Sequence, residues 1–206
     1  MTWKNEWTKW STYKELPREL KTKMSEMTES EREDAFYRQI EFGTGGMRGK
    51  LGAGPNRMNI YTVRTVTAGF AAYIEEKGTE AKEQGVVVAY DSRHGSAEFA
   101  LEVVKTLGAY GIKSYIFEEL RPTPELSFAV RYFRAYAGIM ITASHNPAEY
   151  NGYKVYGKDG AQLPPTAADV IVTHMNNIEN ELLLEVKDEH ELLSQNLVSY
   201  IGENLD

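Results

Sequence analysis

Ser144, His145 and Asn146 follow directly on an apolar run, Gly138 to Ala143, that has the composition of a buried strand. Lys154 comes a little further on, behind an Asn151-Gly152 turn signal. A serine beside a histidine raises serine hydrolysis first. The nucleophile elbow of that chemistry reads G-x-S-x-G, whereas the residues here are Thr142, Ala143, Ser144, His145 and Asn146. His145 is poorly placed as a base for Ser144. Adjacent side chains in extended backbone point to opposite faces, and a triad draws its base from elsewhere in the chain. His174 and His190 fall on predicted helices, His94 follows a strand end, and none has metal-ligand spacing. A serine can instead carry a phosphoryl group. That transfer rests on positioning and charge neutralisation, so it asks for cations and hydrogen-bond donors around the oxygen. His145, Asn146, Lys154, Arg48 and Arg93 are the groups on offer. Lys154, set among other cations, is also a candidate to take a proton from an attacking sugar hydroxyl. Two plainer readings stay open: Ser144 as a helix N-cap, and Lys154 as a solvated lysine after a turn.

Arg48 lies in a glycine-dense stretch, FGTGGMRGKLGAGPNRMN, with Lys50 and Arg57 beside it. A dinucleotide fingerprint counted from Gly43 would need glycine where Arg48 stands. A P-loop needs four residues between its glycines and then Lys-Ser/Thr, but Gly43 to Gly49 leaves five and Leu51 follows Lys50. Both nucleotide readings fail on spacing. What remains is a loop or broken strand able to approach a ligand closely, carrying guanidinium groups suited to phosphate, or else an ordinary glycine-rich turn with solvated cations.

These residues must be positioned by a scaffold, and the hydrophobic pattern supplies one. Residues 60–77 predict an amphipathic helix and 85–90 a buried strand ending at Asp91-Ser92-Arg93. A helix over 97–108, a strand over 112–117, an Arg121-Pro-Thr-Pro turn and a helix over 125–134 lead to the strand before Ser144. A further helix is expected over 164–184, then a short strand, a helix and LVSYIG in the tail. Strands alternating with helices give an α/β layer fold, in which ligands bind beyond strand ends. Ahead of this, Trp3, Trp7 and Trp10 share one helix face, predicted to pack on the body of the protein or else against a partner or neighbouring domain. A second helix is expected over 28–40, opened by a Thr28/Glu31 capping box.

The 206 residues carry 42% hydrophobic and 26% charged side chains, as soluble globular proteins do. A net charge of −7 argues against sequence-independent nucleic-acid binding. There is no cysteine, which excludes disulfides, thiolate metal sites and a cysteine nucleophile. The first residues show neither an apolar core nor a cleavage site, so no signal peptide is predicted. No stretch approaches a membrane span, and a cytoplasmic location is expected.

GIMITASHNP resembles the signature of the α-D-phosphohexomutases, and FGTGGMRG followed by NRMN resembles the first active-site loop of their phosphoglucomutase/phosphopentomutase branch. AYDSR, RPTPELSFAV and EYNGYKVY occur in the family's order, so that the resemblance runs from about Glu41 to Glu185. It implies a mixed, mainly parallel sheet sandwiched between helices (residues 41–185), with a helical extension (1–40) and a tail (186–206) leading toward a second domain. It implies that Ser144 is the phosphorylated catalytic residue, with His145 and Lys154 beside it. Arg48 would reach in from the first loop with Thr44 near it, and Asn146 and Arg93 are expected to bind substrate. The implied activity is an isomerase of carbohydrate metabolism interconverting glucose 1-phosphate and glucose 6-phosphate through glucose 1,6-bisphosphate. Mg²⁺ would be bound by an oxygen of the phosphate on Ser144. Family members have four domains, and only the first is matched here, without the Asp-x-Asp-x-Asp-Arg metal loop of the second. The chain is therefore expected to be part of a longer enzyme, inactive alone, whose partners are sugar phosphates and its own domains II–IV. Phosphomannomutase or phosphopentomutase activity is the alternative within the family. A naturally short, non-catalytic sugar-phosphate-binding protein is the alternative outside it.

Overall fold

The computed structural model describes residues 2–202. Its centre is one sheet of seven strands: β1 (Phe42–Gly43), β2 (Gly46–Lys50), β3 (Val86–Tyr90), β4 (Ser114–Phe117), β5 (Ala137–Ile141), β6 (Tyr150–Gly157) and β7 (Val198–Ile201). They lie in the order β1-β2-β6-β5-β3-β4-β7. Strands β5, β3, β4 and β7 run parallel. Strands β6, β2 and β1 extend the sheet antiparallel beyond β5. This is the mixed α/β sheet expected. Val86 to Ala89 and all of β5 are buried, as strands covered on both faces require.

Helices α4 (Ile60–Glu75), α6 (Ser96–Ala109) and α8 (Pro165–Asn176) share one apolar cluster with Val86 and Val88. Helix α7 (Thr123–Tyr132) covers the other face, on Val87 and Ala89. Helix α4 is buried over most of its surface instead of amphipathic, because α6 and α8 flank it. Its threonines fit there by bonding back to the helix: the Thr65 and Thr67 hydroxyls donate to the Tyr61 and Val63 carbonyls at 2.8 and 2.7 Å.

The N-terminal residues form three helices, α1 (Trp3–Thr12), α2 (Arg18–Glu26) and α3 (Glu29–Phe36), where two were expected. The Thr28/Glu31 capping box is present, but α3 ends at Phe36, short of residue 40. The tryptophan stripe packs on the body. Trp10 is fully buried, edge-on to Phe36 and Tyr61, and its Nε1 donates to Glu181 at 2.8 Å. Lys9 reaches the same carboxylate at 2.8 Å.

Three other expectations need correction. Helix α8 stops at Asn176, and a 3₁₀ turn (Glu181–Leu183) follows where Glu181 is captured. No strand forms at residue 185; α9 (Glu189–Ser194) and β7 come next, and a short α5 (Thr79–Gln84) was not foreseen. Asn151-Gly152 is not a turn but lies within β6, just after its first residue. The last four residues of the 186–206 tail lie outside the described residues.

Candidate active site

The site grows out of the β5–β6 connection. After Ile141 the chain turns at Ser144, whose backbone is left-handed (φ 56°), one of three described non-glycine residues with positive φ. The Ser144 amide donates to Thr142 Oγ1 at 3.0 Å, and the Asn146 amide to the Ala143 carbonyl at 3.1 Å. No helix follows, so Ser144 is not an N-cap. The chain returns along β6 with Lys154 opposite Met140. Its Nζ donates to Ser144 Oγ at 2.8 Å. Lys154 is thus a partner of the serine, not a solvated lysine.

Strand β2 docks on the other edge of β6, with Arg48 opposite Gly152 and Gly46 opposite Lys154. Arg48 donates to Asn146 Oδ1 at 2.9 Å and stays exposed. The glycine-rich stretch is therefore a β-hairpin followed by a loop. Arg57 lies outside the site, paired with Asp34. Burial pushes the Tyr153 phenol up. The Tyr153 and Thr67 hydroxyls meet at 3.2 Å, which pins β6 beside Lys154 to the core.

Two clefts flank the serine loop. One, of about 440 Å³, is lined by Thr44, Arg48, Lys154, Thr142, Glu41 and Gln162, among others. The other, of about 390 Å³, is lined by Ser144, Asn146, Arg93, Asp91, Ser92 and His94, together with Ala148. A separate cavity of about 300 Å³, between α2 and the start of α6, contains none of the predicted site residues. Thr44 sits at the hairpin tip, its carbonyl accepting from Gln162 Nε2 at 3.3 Å. His145 is exposed, lines neither flanking cleft and has no hydrogen-bond partner among the described residues. Arg93 reaches the loop, but through its backbone carbonyls. Sequence reasoning missed Thr142 and Gln162; Thr142 was within reach of it, standing in the run before Ser144, while nothing local marks Gln162.

The arrangement presents a hydroxyl on a tight turn, a lysine ammonium on its oxygen and a guanidinium at its rim. Arg48 and Lys154 meet a neutral amide oxygen and a hydroxyl, and neither charge is compensated by a carboxylate among the described residues. That is the environment of an oxygen expected to hold a phosphoryl group. Among the described residues no three His, Asp or Glu side chains converge as a metal site, and no helix is long and apolar enough to cross a membrane.

Comparison with known proteins gives one family. "Phosphoglucomutase/phosphomannomutase, alpha/beta/alpha domain I" matches residues 39–182. A phosphoglucomutase of Staphylococcus haemolyticus is 44% identical over 164 residues, covering 80% of this chain, and one of Staphylococcus epidermidis is 45% identical over 159. The chain spans 29% of the length of each. A solved phosphoglucomutase/phosphomannomutase family protein from Burkholderia thailandensis shares the fold at a TM-score of 0.58 and 23% identity, over 78% of this chain and 32% of that one.

Proposed function

The chain belongs to the phosphoglucomutase/phosphomannomutase family as its α/β/α domain I, and on that premise we propose that it is the phosphoserine-bearing part of a cytoplasmic phosphoglucomutase. The observation that carries this reading is the 2.8 Å contact between Lys154 Nζ and Ser144 Oγ. In this reading Ser144 Oγ holds the phosphoryl group. A sugar hydroxyl oxygen attacks the phosphorus, the new O–P bond forms as the Oγ–P bond breaks, and the hydroxyl proton ends on Ser144 Oγ. Lys154, already bonded to that oxygen, relays the proton. Glucose 1-phosphate would pass through glucose 1,6-bisphosphate to glucose 6-phosphate, the bisphosphate reorienting between two transfers. Arg48, Thr44 and Asn146 would hold the phosphate that stays on the sugar, and His145 would turn toward the phosphate on Ser144.

Mg²⁺ goes with this family, but the residues of this chain do not fit it alone. Among the described residues no acidic cluster stands near Ser144. The serine's phosphate would be the single anionic ligand on offer, too few for a stable site. The remaining ligands and the sugar-selecting contacts would belong to domains II–IV of the longer protein. There, residues 1–40 are the helical extension, 41–185 the body of domain I and 186–206 its tail.

The test is intact mass with site mapping, before and after incubation with glucose 1,6-bisphosphate and Mg²⁺, on the full-length protein. A single phosphoryl increment on Ser144, absent from Ser144→Ala together with turnover, is expected. An unmodified, active protein would sink the reading. Turnover of mannose and ribose phosphates in place of glucose phosphates would move it to the sister activities.

A further inference from the structure

Arg93 is a third cation at the serine loop, and its role is set by where its donors go. Resting on the reading of Ser144 as phosphate carrier, we propose that Arg93 is a positioning residue that grips the Ser144 loop from behind, and not a ligand for substrate phosphate. A guanidinium has five N–H groups in a fixed fork. NH1 donates to the Pro147 and Tyr150 carbonyls at 2.9 and 3.1 Å. NH2 donates to the Ser144 and Asn146 carbonyls, both at 2.7 Å. Nε faces Asp91 Oδ2 at 3.5 Å. Four of the five N–H groups are hydrogen-bonded to loop carbonyls, the fifth faces a carboxylate, and the side chain is only 15% exposed.

The anchor is itself held. Asp91 Oδ1 accepts from the Arg93 amide at 3.0 Å and from Ser96 Oγ at 2.7 Å. Ser96 Oγ accepts from Asn151 Nδ2 at 2.9 Å, and the same amide donates to the His94 carbonyl at 3.0 Å. The end of β3, the start of α6 and the first residues of β6 thereby form one rigid base under the loop. The loop needs it, because a left-handed serine persists only where its surroundings over-determine it. Arg93 holds the Ser144 carbonyl while Thr142 holds its amide. Arg48 and Lys154 reach the same loop from its open side, through side-chain atoms. Two cations face the ligand and one fixes the turn.

The test uses Arg93→Lys and Arg93→Ala in the full-length protein, read by kcat, KM and amide hydrogen exchange. A lysine keeps the charge but cannot span four carbonyls. Positioning predicts a kcat lower by about ten- to a hundredfold with KM for the sugar phosphate nearly unchanged. It also predicts partial rescue of Arg93→Ala by added ethylguanidinium, and faster exchange at the Ser144, Asn146 and Tyr150 amides with β3 unaffected. A KM raised tenfold with kcat and loop exchange unchanged would make Arg93 a substrate ligand and overturn the proposal. Should the variants not fold, the wild type decides. These three amides must be protected without ligand, and protection that appears only with sugar phosphate refutes the clamp. The exchange readout does not depend on Ser144 carrying phosphate, so the two readings fail separately.

Discussion

Gly46→Ala should lower both stability and turnover, whereas Gly43→Ala in the same hairpin should leave stability alone. A Cβ on Gly46 would sit 2.3 Å from the Tyr153 carbonyl oxygen and 3.1 Å from Lys154 Cα. Both neighbours are backbone of β6, so neither can swing aside. Real Cβ contacts do not fall below 3.0 Å, and β2 must therefore retreat by at least 0.7 Å. Overpacking of this kind costs ~1–3 kcal/mol, which in a domain of this size is about 2–4 °C of Tm per kcal/mol. The retreat occurs opposite Lys154, the residue bonded to Ser144 Oγ. A misplacement of about 1 Å at a reacting group costs on the order of a hundredfold in rate. Nothing lies within 4 Å of a Cβ on Gly43. Thermal unfolding and turnover of both variants in the full-length protein give the comparison. If the two melt together, the close-approach reasoning is refuted. If Gly43→Ala melts like the parent yet loses turnover, that glycine makes room for a ligand.

Glu181→Ala leaves the Trp10 indole N–H buried without its acceptor, while Lys9 keeps Glu6 at 2.6 Å. A loss of ~1–3 kcal/mol is expected by urea unfolding, smaller for Glu181→Gln, and a change under ~0.5 kcal/mol would show that this anchor is not needed. Burial pushes the Tyr61 phenol from 10.0 up to about 12. For Lys9, burial pulls the other way, but its hydrogen bonds to Glu181 and Glu6 outweigh it and the ammonium is raised. Both groups hold protons in the folded state that the unfolded chain releases. Stability is therefore full below about pH 10 and falls as pH rises toward 12. Tyr61→Phe removes the phenol whose ionisation burial opposes, and should flatten that slope. An unchanged slope refutes the assignment.

What the sequence announces and what it conceals divide along the range of the signal. The run Val86–Tyr90 is legible because β-branched residues covered on both faces leave no other reading. The Thr28/Glu31 cap is legible because both its bonds lie within four residues. Strand β6 is not. Asn151 and Gly152 form a strong local turn signal, overridden because β2 and β5 pair with β6 on its two sides. Asn151 is fully buried, with the Ser96 hydroxyl and the His94 carbonyl as partners from elsewhere in the chain. The polar face expected of α4 fails for the opposite reason, since its threonines satisfy themselves on their own helix. At the site, Ser144, Lys154 and Arg48 are legible as chemistry. The loop's support is not, because an arginine that binds backbone carbonyls reads the same in sequence as one that binds phosphate.

Net charge misleads at the same point. A chain of net charge −7 is poorly suited to polyanions, yet charges on a protein surface act within about 8–10 Å in physiological salt. The sign of a site is set by which carboxylates are engaged elsewhere. Arg57 is answered by Asp34, Arg64 by Glu102 and Arg93 by Asp91. Glu41 lines the same cleft as Lys154, but its carboxylate is paired with Arg38. Arg48 and Lys154 are left to neutral partners on the Ser144 loop. Two such cations repel one another until anions arrive, which a phosphoryl group on Ser144 beside Lys154 and the sugar's own phosphate beside Arg48 would supply. An acidic net charge is thus compatible with a site suited to a small anion, because the sign of the site follows from where the carboxylates sit and not from how many there are.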